Sequence, residues 1–532
     1  MGYYKDIREH MQALEKNGLL VRIRREIDKD TELHPLVRLQ FRGLPEKQRK
    51  AFLFENVVNG SGKKYKMPVT VCTIAASRQI YAIGLQCNPE EIASKLNEAL
   101  LHPIKPVVVA DAAVYEEEHV GGSLLQHKGL DEFPIPISTP GFDIAPFFTS
   151  PYWVTKDPET GIANVGTYRA QLKSPTRTGI FFYHPEQHIA VHWNKCRKLG
   201  VPLHAAIVVG GSPNIGYVSV AKLPYSVSEF DVAGGIAGSP VELVRCKTVD
   251  LEVPANAEVI IEGEISTNQV EPEGPFGEFH GYMGERQNMP FFTVKRIAHR
   301  KDAIWQAFLS QFPPSESSKI RQIGSEATTF KLLRHDLNIA SVKAVAFHES
   351  SGSAGYVVVQ MKDPKGEDVM KALEAATHSN LINKISVAVD SDINPWDADA
   401  VNWAISYRSD PQRDSKIVLH RASTMDHSIE PTGKSLERDA RHEGTPQGSR
   451  LLIDATLKWP YPPTSLPKKQ HMEKALELWT EEGLPTLELR EPWWGYNLGS
   501  WSDEDEEQAA AALKGEYYKT GEILEKRRQT IV

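Results

Sequence analysis

The sequence predicts an α/β (α+β) protein with an N-terminal α/β unit, a central β-barrel carrying a few inserted helices, and a C-terminal α/β domain followed by a tail helix. Three observations predict this. The 532 residues are enough for three or four domains at about 150 residues each. From about residue 162 to 297 short apolar runs follow one another, cut by Gly and Pro, as barrel strands do. On either side of that stretch, helical and strand periodicities alternate.

The elements follow in order. Ile7, Met11 and Leu14 recur at helical spacing, and Asn17-Gly18 ends the pattern where Gly can take the left-handed cap conformation. Residues 19–27 read as a strand, and Val69-Thr70-Val71 and residues 106–110 as buried strands separated by helical segments such as 89–101. Pro134, Pro136, Pro140, Pro146 and Pro151 are too closely spaced for a helix or a central strand, which puts a domain boundary near Leu130. In the barrel region the runs 179–182, 206–209, 216–220 and 258–261 read as strands. Residues 189–199 read as an inserted helix, with Ile189, Trp193 and Cys196 on one face, Gly200 at its end and His188 at its start. Helices and strands alternate again beyond residue 300, as far as Trp459-Pro460-Tyr461. From Ser502 a capping-box pattern, an acidic first turn and an Ala run predict one C-terminal helix that docks on another subunit. The expected domains are residues 1–130, 131–305, 306–470 and a tail of 471–532.

Composition removes several function classes. With 61 Lys and Arg against 69 Asp and Glu the formal charge is -8, which offers no global attraction to nucleic acid or an anionic membrane. A hydrophobic content of 41% and a charged content of 24% describe a folded, enzyme-sized protein. Cys72, Cys87, Cys196 and Cys246 lie far apart with no CxxC pair, so they read as reduced core thiols. The N-terminus has no apolar signal region and no stretch reaches bilayer length, so the expected location is the cytoplasm.

Most short motifs read as structural. Gly60-Ser61-Gly62-Lys63-Lys64 lacks the glycine spacing and the Ser/Thr of a phosphate loop and reads as a solvated loop. Arg22-Ile23-Arg24-Arg25 is followed by acidic residues and reads as a solvated strand face. His188 and His192 have the spacing by which two helix-borne imidazoles share a metal, but no Glu follows His188, and spacing alone favours a structural pair. The informative segment is Glu271-Pro272-Glu273-Gly274-Pro275-Phe276-Gly277-Glu278-Phe279-His280-Gly281-Tyr282. Glu273 and Glu278 are badly placed to converge on a strand or a helix, yet Gly274-Pro275 and Gly277 force a turn that can bring both inward. Two converging carboxylates can divide acid and base roles. Phe276, Phe279 and Tyr282 weigh against a merely acidic surface loop, without deciding the matter.

This segment closely resembles the signature of the UbiD family of decarboxylases, which use prenylated flavin mononucleotide. The resemblance extends to Asn164-Val165-Gly166-Thr167-Tyr168-Arg169, Gln187-His188-Ile189, Val227-Ser228-Glu229, Pro313-Pro314-Ser315-Glu316, Asp390-Ser391-Asp392-Ile393 and Ile453-Asp454-Ala455-Thr456. It covers the chain from the first helix to about residue 463, and the tail with Pro492-Trp493-Trp494 looks like that of extended members. Ser310-Gln311-Phe312 departs from the Thr-Gly and basic residue that many relatives carry, which bears on substrate identity.

The resemblance implies a split β-barrel flavin-binding domain, a C-terminal oligomerisation domain and a homo-oligomer, dimer or hexamer. It implies that Asn164, His188 and Glu229 bind a divalent metal, usually manganese, that bridges to the cofactor phosphate, with potassium nearby. Two oxygen donors and an imidazole suit such a hard cation. Thr167, Gln187 and Arg169 would also meet the cofactor, and Arg450 sits where relatives place a basic phosphate contact. Arg169, Glu273 and Glu278 would be catalytic, with Arg169 orienting the substrate carboxylate and Glu278 delivering the proton that replaces it. Loss of carbon dioxide from an sp2 carbon leaves charge that side chains alone cannot absorb, hence the cofactor. A flavin prenyltransferase would supply it.

The expected activity is therefore reversible, non-oxidative decarboxylation of an aromatic or α,β-unsaturated acid, or an aryl-CoA ester. A catalytically silent subunit of a carboxylase complex and a flavin reductase on a related barrel are the alternatives. The first is disfavoured by the complete trio, and the second by the lack of a dinucleotide fingerprint. Trp305, Phe308, Phe312 and Trp403 are candidates for an aryl pocket.

Overall fold

The computed structural model describes residues 2–149, 151–182, 185–378, 382–421, 426–430 and 447–530. Asp6 caps the first helix, Ile7–Lys16, by accepting from the backbone of Arg8 and Glu9, and the helix buries Ile7, Met11 and Leu14. Gly18, at φ +67°, turns the chain into the strand Leu20–Asp28. That strand runs parallel to Ala51–Val58, which pairs antiparallel with Val69–Val71. The fourth strand of this sheet, Trp305–Gln306, comes from far along the chain.

The centre is a nine-stranded sheet curled into a half-barrel. Its order is Phe147–Phe148, Ala170–Ser174, Arg177–Gly179, Phe291–His299, Val259–Ile265, Leu203–Val209, Tyr152–Lys156, Ala163–Thr167, with Glu117–Val120 added beside Phe291–His299. Leu203–Val209 and Val259–Ile265 are buried almost throughout, as strands covered on both faces must be. Glu117–Val120 precedes Leu130 and Trp305–Gln306 closes the N-terminal sheet, so strand pairing runs across the positions expected to divide the domains.

The C-terminal sheet has the order Val342–Phe347, Tyr356–Met361, Ile385–Asp390, Gln447–Ala455, Ser415–Arg421. The helix Gly366–His378 contributes to the core on one face and Ala398–Arg408 to that on the other. The helix Glu316–Lys331 joins this unit to the rest. Ser315 caps it, and the buried Glu316 carboxyl accepts from the backbone of Cys72 and Leu309. Among the described residues no helix is long and apolar enough to cross a membrane.

Four expectations need correction. The run 216–220 is not a strand: Ser212 precedes the helix Pro213–Val218, with Pro at its first position. Residues 106–110 are not a buried strand, because only Val107 and Val108 pair, and both are exposed. In 179–182 the strand ends at Gly179. The tail holds two helices rather than one, since Gly515 at φ +78° separates Asp503–Leu513 from Tyr517–Glu525. The helix Lys469–Glu481 lies before them, and none of the three buries a residue in this chain.

Candidate active site

The acidic segment folds as two small hairpins. Glu271–Glu273 pairs with Gln287–Met289, and Phe276–Gly277 with Met283–Gly284. Gly274 between them has φ +89°, and a Cβ there would press on the Glu285 carbonyl at 3.2 Å and on Arg169 Nη2 at 3.3 Å. The Gly277 position is tighter, since a Cβ would meet Thr139 Oγ1 at 2.3 Å. Only glycine lets the turn close on its neighbours, and the closed turn aims Glu273 and Glu278 at one guanidinium.

That guanidinium is Arg169, just beyond the barrel strand Ala163–Thr167. Its Nε donates to Glu273 Oε1 at 3.0 Å, its Nη2 to Glu273 Oε2 at 2.5 Å, and its Nη1 to Glu278 Oε1. All three side chains are buried. Phe181 and Phe276 lie under the guanidinium at 4.0 and 5.1 Å from their ring centres. Burial works against the Arg169 charge, but Glu273 and Glu278 outweigh it and hold the proton more firmly than usual. Asp143 braces the turn: its Oδ2 accepts from Thr139 N at 2.6 Å and its Oδ1 from Gly277 N at 3.3 Å, while burial pushes its carboxyl up to about 6.

A cavity of about 430 Å³ opens from this network. Arg169, Glu278, Phe276 and Phe279 line one part of it, and Asn164, Thr167, Gln187, His188 and Glu229 another. His188 opens the helix His188–Leu199 after Gln187, and Glu229 opens the helix Glu229–Ala237. Glu229 Oε2 accepts from Val165 N at 2.9 Å, and Oε1 stands 3.6 Å from His188 Nδ1. Asn164 is buried, and its Nδ2 has no hydrogen-bond partner among the described residues. Thr167 Oγ1 shares a 2.8 Å hydrogen bond with Ser219. The donor set of an amide oxygen, an imidazole and a carboxylate fits a hard divalent cation, while the unsatisfied Asn164 Nδ2, a hydrogen-bond donor, suits an anionic group beside it.

His192, one turn beyond His188, plays a different part. Its Nδ1 meets Thr155 Oγ1 at 2.9 Å, and burial lowers it to about 4, so it is a core histidine. Arg450 stands behind the wall: it donates to the Thr377 carbonyl at 2.7 Å, next to His378, which does line the cavity. None of the four aromatic residues anticipated for an aryl pocket lines it. Trp305 and Phe308 lie in the core, while Phe312 and Trp403 are exposed. Among the described residues, the phenyl and phenol rings that line the cavity are Tyr168, Phe181, Phe276 and Phe279.

Three functional candidates are invisible to motif reading. Lys222 and Arg321 line the cavity from a loop and from the helix Glu316–Lys331, and Asp143 lies in the Pro-rich stretch. Lys222 is exposed to the cavity, and the surrounding protein together with Arg321 lowers its ammonium to about 8.

Comparison with known proteins is decisive. Residues 11–100, 109–312 and 319–455 match the N-terminal, Rift-related and C-terminal domains of 3-octaprenyl-4-hydroxybenzoate carboxy-lyase. The chain is 31% identical over 477 residues to an uncharacterized protein of Archaeoglobus fulgidus, covering 86% of this chain and 92% of that one. The chain belongs to the UbiD family. As a UbiD protein it is an enzyme of the carboxy-lyase class. Its fold is that of vanillic acid decarboxylase from Sedimentibacter hydroxybenzoicus in closed form, at TM-score 0.77 and 25% identity over 90% of this chain and all of that one. An evolved dimeric form of the UbiD-class enzyme HmfF from Pelotomaculum thermopropionicum, solved with prFMN, is 28% identical at TM-score 0.73, covering 87% of this chain and 97% of that one.

Proposed function

We propose that this UbiD-family enzyme is a reversible, non-oxidative decarboxylase of an aromatic or α,β-unsaturated carboxylic acid, loaded with prenylated FMN and a divalent metal, manganese foremost, with potassium nearby. The observation that carries the reading is one cavity with two unlike ends: a closed Arg169–Glu273–Glu278 network, and an open set of metal donors in Asn164, His188 and Glu229. A catalytically silent subunit has no use for the first, and a simple flavin reductase has none for its buried proton carriers.

Asn164, His188 and Glu229 hold the metal, and Lys222 and Arg321 add positive charge for a phosphate on the same wall. Gln187 and Thr167 meet the cofactor at its polar groups, and Arg450 positions the Thr377–His378 segment from behind. The prenylated flavin, when bound, supplies the electron sink that an sp2 carbon needs when it gives up carbon dioxide. Arg169 orients the substrate carboxylate, and Glu273 fixes the guanidinium through two parallel hydrogen bonds. Admitting an anionic substrate beside two carboxylates calls for one further proton, and Glu278, on the cavity wall, is placed to carry it. Glu278 delivers that proton to the carbon vacated by carbon dioxide, and takes it back in the reverse direction. The faces of Phe181, Phe276 and Phe279 exclude water and pack a planar acid.

The test is co-expression with a flavin prenyltransferase, followed by a screen of planar aryl and acrylic acids for carbon dioxide release. Activity with prenylated flavin and none with plain FMN is the expected result. Turnover by the FMN-loaded enzyme, or oxidation of a nicotinamide, would overturn it.

A further inference from the structure

Outside the cavity, three histidines and two glutamates crowd against the central sheet. Glu117–Val120 pairs antiparallel with Phe291–His299, and His119 lies opposite Ile297. His119 and His299 are therefore diagonal neighbours on the same face of adjacent strands. Both are buried, and their Nε2 atoms face each other at 3.3 Å. His299 Nδ1 donates to the Arg300 carbonyl at 2.8 Å; since a carbonyl only accepts, the proton is fixed on Nδ1 and Nε2 of the neutral ring presents a lone pair.

The chain beyond Val120 turns through the short helix Gly122–Gln126 and doubles back at Lys128 and Gly129, both at positive φ. This returns Glu132 to the histidines. Its Oε2 stands 3.5 Å from His119 Nε2 and its Oε1 3.8 Å from His299 Nε2. Glu132 Oε2 is a buried atom with no hydrogen-bond partner among the described residues. Glu117 Oε2 lies 3.9 Å from His299 Nε2 on the fourth side, and the ring of His127 stacks on His119 at 3.8 Å.

We propose that His119, His299 and Glu132, completed by Glu117, form a structural site for a zinc-class divalent cation. Ligands held at about 2.0–2.1 Å in a tetrahedron are about 3.3–3.4 Å apart. The two imidazoles already have that spacing; Glu132 reaches them through different oxygens, so its carboxylate must rotate to bring one oxygen to both, and Glu117 must close in from 3.9 Å. Two imidazole nitrogens with carboxylate oxygens select zinc, or cobalt in its place, over the harder manganese or magnesium. The His299–Arg300 hydrogen bond is the outer support that ligating histidines ordinarily have. The ion would tie the strap of residues 117–132 to the end of the strand Phe291–His299, a few residues before the chain enters the N-terminal sheet at Trp305.

The test uses the full-length His188→Ala chain, which has lost the imidazole of the cavity donor set. After dialysis against a chelator it is titrated with Co2+ and then, in competition with a chromophoric chelator, with Zn2+. One ion per chain, a tetrahedral cobalt spectrum and a rise in Tm with Zn2+ are expected. Adding Glu132→Gln, at a partly exposed position that should leave folding intact, should weaken Zn2+ by at least about tenfold. Adding His299→Gln should abolish the cobalt band. No cobalt band and no Tm response, or equal Zn2+ affinity with and without Glu132→Gln, would show a metal-free histidine pair and overturn the proposal.

Discussion

The two ends of the cavity are built on opposite principles. At one end Arg169 is held by Glu273 from one side and Glu278 from the other, with aromatic rings beneath it. At the other end Asn164 Nδ2 has no partner among the described residues, and His188 and Glu229 stand 3.6 Å apart. An internally satisfied network holds its geometry without help, which suits groups that must meet a reacting atom in a fixed arrangement. An unsatisfied set costs stability until something completes it, which suits a place for cofactor and metal. The fold assigns the two ends to different hardware: the first rests on a glycine-shaped hairpin turn, the second on two helix starts and a barrel strand.

If that contrast is right, breaking the closed end damages fold and chemistry together, and breaking the open end removes only what binds there. Arg169→Met should have the largest effect, abolishing turnover and costing about 3–5 kcal/mol of stability, because the wholly buried Glu273 loses its counter-ion. Thermal unfolding beside an activity assay checks this, and unchanged Tm would show that the network is not closed. His188→Ala should lose metal and flavin together at nearly unchanged Tm in the ligand-free chain, since the ring is only partly buried. Metal analysis and the flavin absorbance read it, and stoichiometric flavin in metal-free protein would contradict it.

A smaller effect is expected at Lys222. The surrounding protein and Arg321 lower its ammonium to about 8, and a bound phosphate favours the charged form, so flavin affinity should fall as pH rises through about 8 and level off below it. Lys222→Gln should bind more weakly and flatten that profile, and an identical profile in the variant would remove the lysine from the cofactor site. The smallest effect on catalysis is expected from ending the chain after Tyr496. The exposed Leu513, Tyr517 and Ile523 lie on the helices removed, so light scattering should report a smaller assembly with the cavity chemistry intact. An unchanged oligomer would release the tail from any part in assembly.

The sequence exposes these two ends unequally. Glu273 and Glu278 could be read because Gly274, Pro275 and Gly277 lie between them, and turn chemistry is local. His188 and Gly200 could be read for the same reason, as the start and stop of one helix. Lys222, Arg321 and Asp143 could not, since each owes its place to contacts with residues far along the chain. The helix Pro213–Val218 reads as a strand in the sequence because a buried apolar run carries no period. The cross-strand meeting of His119 with His299 depends on sheet register over 180 positions, which spacing does not reveal.

The central claim is that Glu278 moves the proton at the reacting carbon while the rest of the site only binds and holds. The direct measurement is hydrogen–deuterium exchange at the decarboxylated carbon of the product, in D2O, catalysed by the wild-type enzyme and by Glu278→Gln, each loaded with flavin and metal to equal occupancy. Exchange in the variant should be about 10²–10⁴-fold slower, with carbon dioxide release slowed in parallel. Exchange at the wild-type rate in a fully loaded Glu278→Gln enzyme would contradict the assignment.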